Sequence, residues 1–334
     1  MIAHGVLRAQ PEDFVVEEQL GFAPSGSGQH VMLKVRKRDA NTQWVARELA
    51  RTCGCRVLDV GYAGLKDRRS IAVQWFTVPQ SRVTLDDWGA IRGPGFEVLE
   101  AHAHTRKLPR GALQGNRFSI RIRGIAVDDA VLAARLGGIA ARGVPNYFGP
   151  QRFGRGGANL ARLTEDPRAL APQERGFVLS AARSLVFNAV VAERVRDGSW
   201  ASLEAGDVAN LDGRGSVFAA EPDAALLERC DRLEIHPTGP LWGRGTLSSA
   251  HRIKALESAV SAQFSQACAL TEQAGMEQER RALRLAVRDL RWQRDQTSVV
   301  LDFRLMRGGF ATTVLREIVD SGEPMDEADL PSGG

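Results

Sequence analysis

A strand pattern that returns near the far end of the chain constrains the fold more than any other feature. Thr297-Ser298-Val299-Val300-Leu301-Asp302-Phe303-Arg304-Leu305 reads as a strand, followed by Gly308-Gly309-Phe310 and a short amphipathic helix carrying Val314, Leu315, Ile318 and Val319. One strand and one short helix cannot bury a core of their own. They are therefore expected to complete a sheet begun much earlier in the chain. The expected organisation is a discontinuous domain of residues 1–142 and 288–334, interrupted by an inserted domain at 143–287, with an acidic tail from Glu323 to Gly334.

The N-terminal part supplies that sheet. Pro11-Glu12-Asp13-Phe14 opens a short apolar strand, and Val31, Leu33 and Val35 share one face of the next, with Lys34 and Arg36 on the other. Asn41 or Thr42 then caps a helix whose apolar positions Trp44, Val45, Leu49 and Ala50 recur at helical spacing, and Gly54 ends it. Strands follow at 71–78, 96–101 and 117–125, then a helix at 128–142. In the third of these strands Phe118, Ile120 and Ile122 alternate with Arg117, Ser119, Arg121 and Arg123, which predicts a sheet with an arginine-rich face. Helices do not follow every strand, and tight turns such as Arg92-Gly93-Pro94-Gly95 suit antiparallel pairing, so the expected class is α+β.

Between the first helix and the strand at 71–78 lies Gly61-Tyr62-Ala63-Gly64-Leu65-Lys66-Asp67-Arg68-Arg69. It places one carboxylate, Asp67, among Lys66, Arg68 and Arg69, and nearby cations favour the ionised form. Such a carboxylate is either a nucleophile facing an anionic ligand or a solvated ion-pair turn.

Composition narrows the alternatives. The formal net charge of +4 is compatible with a nucleic-acid partner, although 39 of the 44 basic residues are arginine, a skew that also follows from base composition. No apolar run approaches the roughly 18 residues needed to span a bilayer, and the start of the chain lacks the apolar core of a secretion signal, so a cytoplasmic protein is expected. Four cysteines, at 53, 55, 230 and 268, and six scattered histidines offer neither a disulfide framework nor zinc spacing. No phosphate loop, dinucleotide fingerprint or H-E-x-x-H motif is present.

At Gly143 the character changes to a loop dense in glycine, aromatic residues and arginine, Val144-Pro145-Asn146-Tyr147-Phe148-Gly149-Pro150-Gln151-Arg152-Phe153-Gly154. Tyr147, Phe148 and Phe153 with Arg152 and Arg155 suit base stacking and phosphate contact, or equally a packed hinge. Long helices are expected beyond it at 177–196 and 249–274, with strand and turn around 207–218 and a loop at Pro237-Thr238-Gly239-Pro240-Leu241-Trp242-Gly243.

Together these pieces resemble the TruD family of tRNA pseudouridine synthases. The resemblance rests on P-E-D-F at 11–14, A-G-L-K-D at 63–67, G-N-R-F at 115–118, the eleven-residue block at 144–154, L-S-A-A-R-S at 179–184, G-R-G-S at 213–216 and G-G-F-A-T-T-V-L-R-E at 308–317. It implies a cofactor-free isomerase that turns a tRNA uridine, position 13 in bacterial members, into pseudouridine. It also implies an antiparallel pseudouridine-synthase sheet with an inserted α/β domain, and RNA in the cleft between them. Asp67 matches the catalytic aspartate; Phe14, Asn116 and Phe310 match positions lining the uridine pocket, and Arg8 a basic position beside it. Phe118 and Arg152 are taken with them as substrate contacts. Leu65 stands where family members often carry glutamine. A monomer acting on tRNA, without metal or membrane, is the expectation. The rivals are a non-catalytic RNA binder and a base-removing glycosylase.

Overall fold

The computed structural model describes residues 1–81 and 83–320; the acidic tail lies outside the described residues. The chain divides into two compact units. Among the described residues the first comprises Met1–Val131, Arg288–Gly308 and 318–320, and the second Leu132–Val287 and Gly309–Glu317.

The first unit is organised by one sheet. Its long strands are β1 (Phe14–Leu20), β2 (His30–Arg38), β3 (Ile71–Pro79), β4 (Phe96–His104), β5 (Leu113–Ile122), β6 (Arg288–Asp295) and β7 (Ser298–Met306), in the spatial order β6-β7-β5-β1-β3-β2-β4. Short strands Arg92–Gly93 and Gly61–Tyr62 extend it beside β4 and β3. All its pairings are antiparallel but one: β1 runs parallel to β3, with Val15 opposite Ile71. β7 pairs along its whole length with β5, from Val299 opposite Ile122 to Met306 opposite Gly115, so the strand that returns late in the sequence does enter the N-terminal sheet.

Local chemistry explains these elements. Helix α1 (Thr42–Cys53) starts at Asn41, whose side chain accepts a hydrogen bond from the Gln43 N–H, and ends at Gly54 with φ +71°. Its apolar face, Val45, Ala46 and Leu49, packs on Leu33, Val35, Phe76 and Trp88. On β5 the alternation holds: Phe118, Ile120 and Ile122 are buried. On its other face Arg121 meets Asp295 at 3.0 Å, and just past the strand's end Arg123 meets Asp13 at 2.8 Å. β6 has no apolar face because it is an edge strand with alternating exposure, which is why Arg288–Asp295 does not read as a strand.

The second unit pairs a four-stranded antiparallel sheet with helices. The sheet order is Val217–Ala219, Val208–Leu211, Ile235–Leu241, Glu279–Ala282. Helix α2 (Pro172–Arg196) lies at its centre, burying Val178, Ala182 and Val186 against Ala267 and Leu270, and Phe187, Val190 and Val191 against Phe148, Val260 and Leu283. Apolar on most sides, α2 is long and apolar enough by length and composition to cross a membrane, contrary to the sequence expectation. Two of its arginines are buried in the unit on acids, Arg183 with Glu279 and Arg194 with Asp207, which is the environment of a core helix. The helix expected at 249–274 is two, α3 (His251–Gln263) and α4 (Ser265–Gln273), broken at Phe264.

Candidate active site

Asp67 sits in a turn without regular secondary structure that is pinned from several sides. Gly61, at its entry, has no room for a side chain: a Cβ there would lie 2.3 Å from the Thr77 hydroxyl oxygen and 2.7 Å from the Leu108 carbonyl oxygen. The Thr42 hydroxyl accepts from the Lys66 N–H at 3.1 Å, and the Lys66 ammonium crosses to Glu18 at 2.8 Å. Glu18, 2% exposed, also accepts from the Trp75 N–H at 3.1 Å. The Asp67 carbonyl accepts from the Ser70 hydroxyl and from the Lys37 ammonium, both at 2.7 Å. Lys37 is fully buried on β2 and donates also to the carbonyls of Ala40 at 2.8 Å and Lys66 at 3.3 Å.

That backbone clamp leaves the Asp67 carboxylate partly open, with 38% of its side chain exposed, and Arg8 meets it: Nη2 lies 2.5 Å from Oδ2. Of the flanking cations that first suggested an ionised acid, Lys66 turns to Glu18 and Arg68 toward Asp39 at 3.5 Å. Arg8 itself adopts φ +53°, a left-handed conformation unusual for a side chain of this size. Its guanidinium carbon lies 4.2 Å from the centroid of the Phe14 ring, a cation–π contact that fixes the fork over Phe14 while it holds Asp67.

Phe14 and Asn116 belong to the same sheet face. Opposite residues of an antiparallel pair share a face, and the β1–β5 register sets Phe14 against Ile120, Val16 against Phe118 and Glu18 against Asn116. Phe118 meets Phe14 edge-on at 6.0 Å and stacks on Phe303 of β7 at 5.3 Å, so its ring is committed to the core. The Asn116 Oδ1 is buried without a hydrogen-bond partner among the described residues. Thus Arg8 joins Phe14 to Asp67, Phe118 packs on Phe14, and Asn116 lies farther along the same sheet face, all in the first unit. Phe310 and Arg152 belong to the second unit: Phe310 is 39% exposed ahead of the short helix Ala311–Leu315, and Arg152 donates to the Ser180 hydroxyl at 2.8 Å. Among the described residues no cluster of histidine, cysteine and carboxylate side chains is placed to hold a metal ion.

Sequence reasoning missed Lys37 and Glu18. A signal for Lys37 was present, since it continues the apolar face of Val31, Leu33 and Val35, where a lysine must be buried and therefore satisfied.

Lys37 sets a pH limit on this geometry. Burial pushes its ammonium down to about 8, with Asp67 and Asp39 opposing the shift and Lys66 adding to it. An ammonium carries three N–H donors for three carbonyls; the neutral amine carries two. Turnover is expected to fall as pH rises through about 8, and Lys37→Met to be slow throughout and to lose that step. Initial rates across the alkaline range check this, and an unchanged profile in the variant would contradict it. The sign for stability is opposite. Between about 8 and the ordinary 10.5 the unfolded chain binds more protons at this position, so this group's contribution to stability rises with pH.

Comparison with known proteins finds relatives along nearly the whole chain. A family model described as tRNA pseudouridine synthase D (TruD) matches residues 3–162 and 159–318. A protein named tRNA pseudouridine synthase D from Nitrosococcus oceani is 46% identical over 98% of this chain and 93% of its own length. Another of the same name from Methylococcus capsulatus is 45% identical over 95% of this chain and 91% of its own. The crystal structure of a putative tRNA pseudouridine synthase D from Methanosarcina mazei superposes with a TM-score of 0.75 over 95% of this chain and 94% of that one, at 20% identity, and so shares the fold. Matched along nearly its whole length in sequence, this chain belongs to the TruD family of tRNA pseudouridine synthases.

Proposed function

We propose that this protein isomerises uridine to pseudouridine at position 13 of tRNA, acting as a monomer in the cytoplasm and without cofactor. Family membership supports the reaction class. The observation that carries the residue assignment is the half-exposed Asp67 carboxylate held by Arg8 over Phe14. Residues 143–287 are read as the family's inserted domain.

The reaction breaks the bond from ribose C1′ to N1, turns the uracil and joins C1′ to C5; C5 then loses its proton and N1 gains one. A base stacked in a helix is out of reach, so the uridine is flipped into a pocket. Asn116 Oδ1 is suited to accept from the uracil N3–H, and Phe14 to bound the pocket through its Arg8-covered ring, with Phe118 packed behind it. Phe310, exposed, is suited to offer a stacking face, and Arg152 to meet the RNA backbone. Asp67 acts at the glycosidic centre, as a nucleophile or as the base that removes a ribose proton; Arg8 holds its charge against the phosphate field.

Incubation with tRNA tritiated at uridine C5 tests this. Tritium release with the base retained is expected, and it should cease when position 13 carries cytidine. Release of free uracil would mean a glycosylase; neither product would mean a binder.

A further inference from the structure

Every buried arginine of the second unit but two is answered. Arg183 pairs with Glu279, Arg194 with Asp207 and Arg280 with Glu257. Arg284 meets no acid but spends its fork on His236 Nδ1 and on the carbonyls of Ala201, Cys230 and Ile235. Arg152 and Arg281 differ. Each is half-buried and donates to a single neutral side-chain oxygen, Arg152 to the Ser180 hydroxyl at 2.8 Å and Arg281 to Asn146 Oδ1 at 2.9 Å. Neither has a carboxylate partner among the described residues, and the Nε of Arg281 is buried with no partner at all.

The two charges are also brought together. Their guanidinium carbons lie 5.1 Å and 4.3 Å from the centroid of one ring, Phe148. The frame around that ring is rigid. Phe148 exchanges two hydrogen bonds with the Asn188 amide, at 2.8 and 3.0 Å. Asn146, which orients Arg281, is itself held by the Ala282 and Leu283 carbonyls, both at 2.8 Å. Two like charges gathered on one ring with no counter-charge are costly unless an anion completes them. Burial depresses both, Arg281 to about 10 with the Arg152 charge contributing. A guanidinium fork matches a tetrahedral oxyanion, and two forks beside one aromatic face can span a phosphodiester.

We infer that Arg281 and Arg152, set around Phe148, form a seat for one backbone phosphate of the bound RNA. This rests on the tRNA reading above and names a contact within it, adding Arg281 to a function for which only Arg152 had been considered.

The test is tRNA affinity as a function of salt. Arg281→Gln is expected to weaken binding about tenfold and to flatten the salt slope by about one phosphate's worth, with Arg152→Gln similar and the double variant little worse than either. Arg281→Lys keeps the charge without the fork and should recover part of the loss. Arg232→Gln removes an exposed arginine already paired with Glu228 and Glu234 and should leave affinity unchanged. Unchanged affinity and slope in folded Arg281→Gln and Arg152→Gln overturn the seat, as does a strictly additive double variant. Inorganic phosphate is the second probe: should it raise the melting temperature of the wild type but not of Arg281→Gln while tRNA affinity is the same in both, the seat takes free anions and the RNA assignment is wrong. Tritium release by the wild-type protein is scored separately, so failure of the isomerase reading would be distinguishable from failure of the seat.

Discussion

Asp67→Asn is expected to abolish pseudouridine formation while leaving tRNA affinity within about tenfold, roughly 1.4 kcal/mol. The substitution keeps size and shape, and its amide oxygen still accepts from Arg8, so the turn should hold. The turn's anchors are main-chain groups of residues 66 and 67 and the Lys66 side chain, none of which the change touches. What is lost is the charge that the proposed role requires, whether to attack carbon or to take a proton. Removing one negative charge beside a polyanion should, if anything, tighten binding. Tritium release and filter binding on the same preparation decide the matter, and retained pseudouridine formation would sink the assignment of Asp67.

Lys66→Met is expected to be the most damaging change to stability near the site. Glu18 is essentially inaccessible, and the ammonium at 2.8 Å is its counter-charge. Without it the carboxylate keeps the Trp75 N–H and little else. Removing one member of such a buried pair costs on the order of 3–5 kcal/mol, because the other charge stays behind in a poorly solvating interior. That is a large share of the roughly 5–15 kcal/mol that holds a typical domain. Adding Glu18→Gln to Lys66→Met should restore much of the loss, since a neutral amide tolerates the site. Denaturation midpoints of the single and double variants check this; a single-variant loss below about 1 kcal/mol would mean that water reaches Glu18.

These two residues also show how far the sequence could be read. The motif at 63–67 located the acid, but charge counting misassigned its support. Lys66 and Arg68 are adjacent to Asp67 in sequence, yet the backbone sends their side chains to Glu18 and Asp39. Arg8, 59 residues away, holds the carboxylate. Local charge cannot reveal such a pairing, because it depends on which strands become neighbours. Periodicity found the strands with one buried face, such as Leu113–Ile122, whose apolar residues alternate cleanly. It failed on Ile235–Leu241, an interior strand of the second sheet, because Pro237 and Pro240 suggested a turn. Their missing N–H groups coexist with antiparallel pairing on both sides, Pro237 opposite Ala209 and Pro240 opposite Arg280. The pair of unanswered arginines was half legible: the aromatic loop displayed Arg152, whereas Arg281 comes from a strand more than a hundred residues later.

The single parallel seam of the large sheet, between Phe14–Leu20 and Ile71–Pro79, decides where chemistry is possible. Arg8 precedes the first of these strands and Asp67 precedes the second. Parallel neighbours begin at the same end of a sheet, so the two approach segments arrive side by side. Had the second strand been threaded in the opposite sense, seven residues at about 3.3 Å each would have put the acid and its cation roughly 20 Å apart. The Arg8–Asp67 ion pair is thus a product of chain direction, and it cannot exist until the crossover that carries the intervening strand and helix has closed.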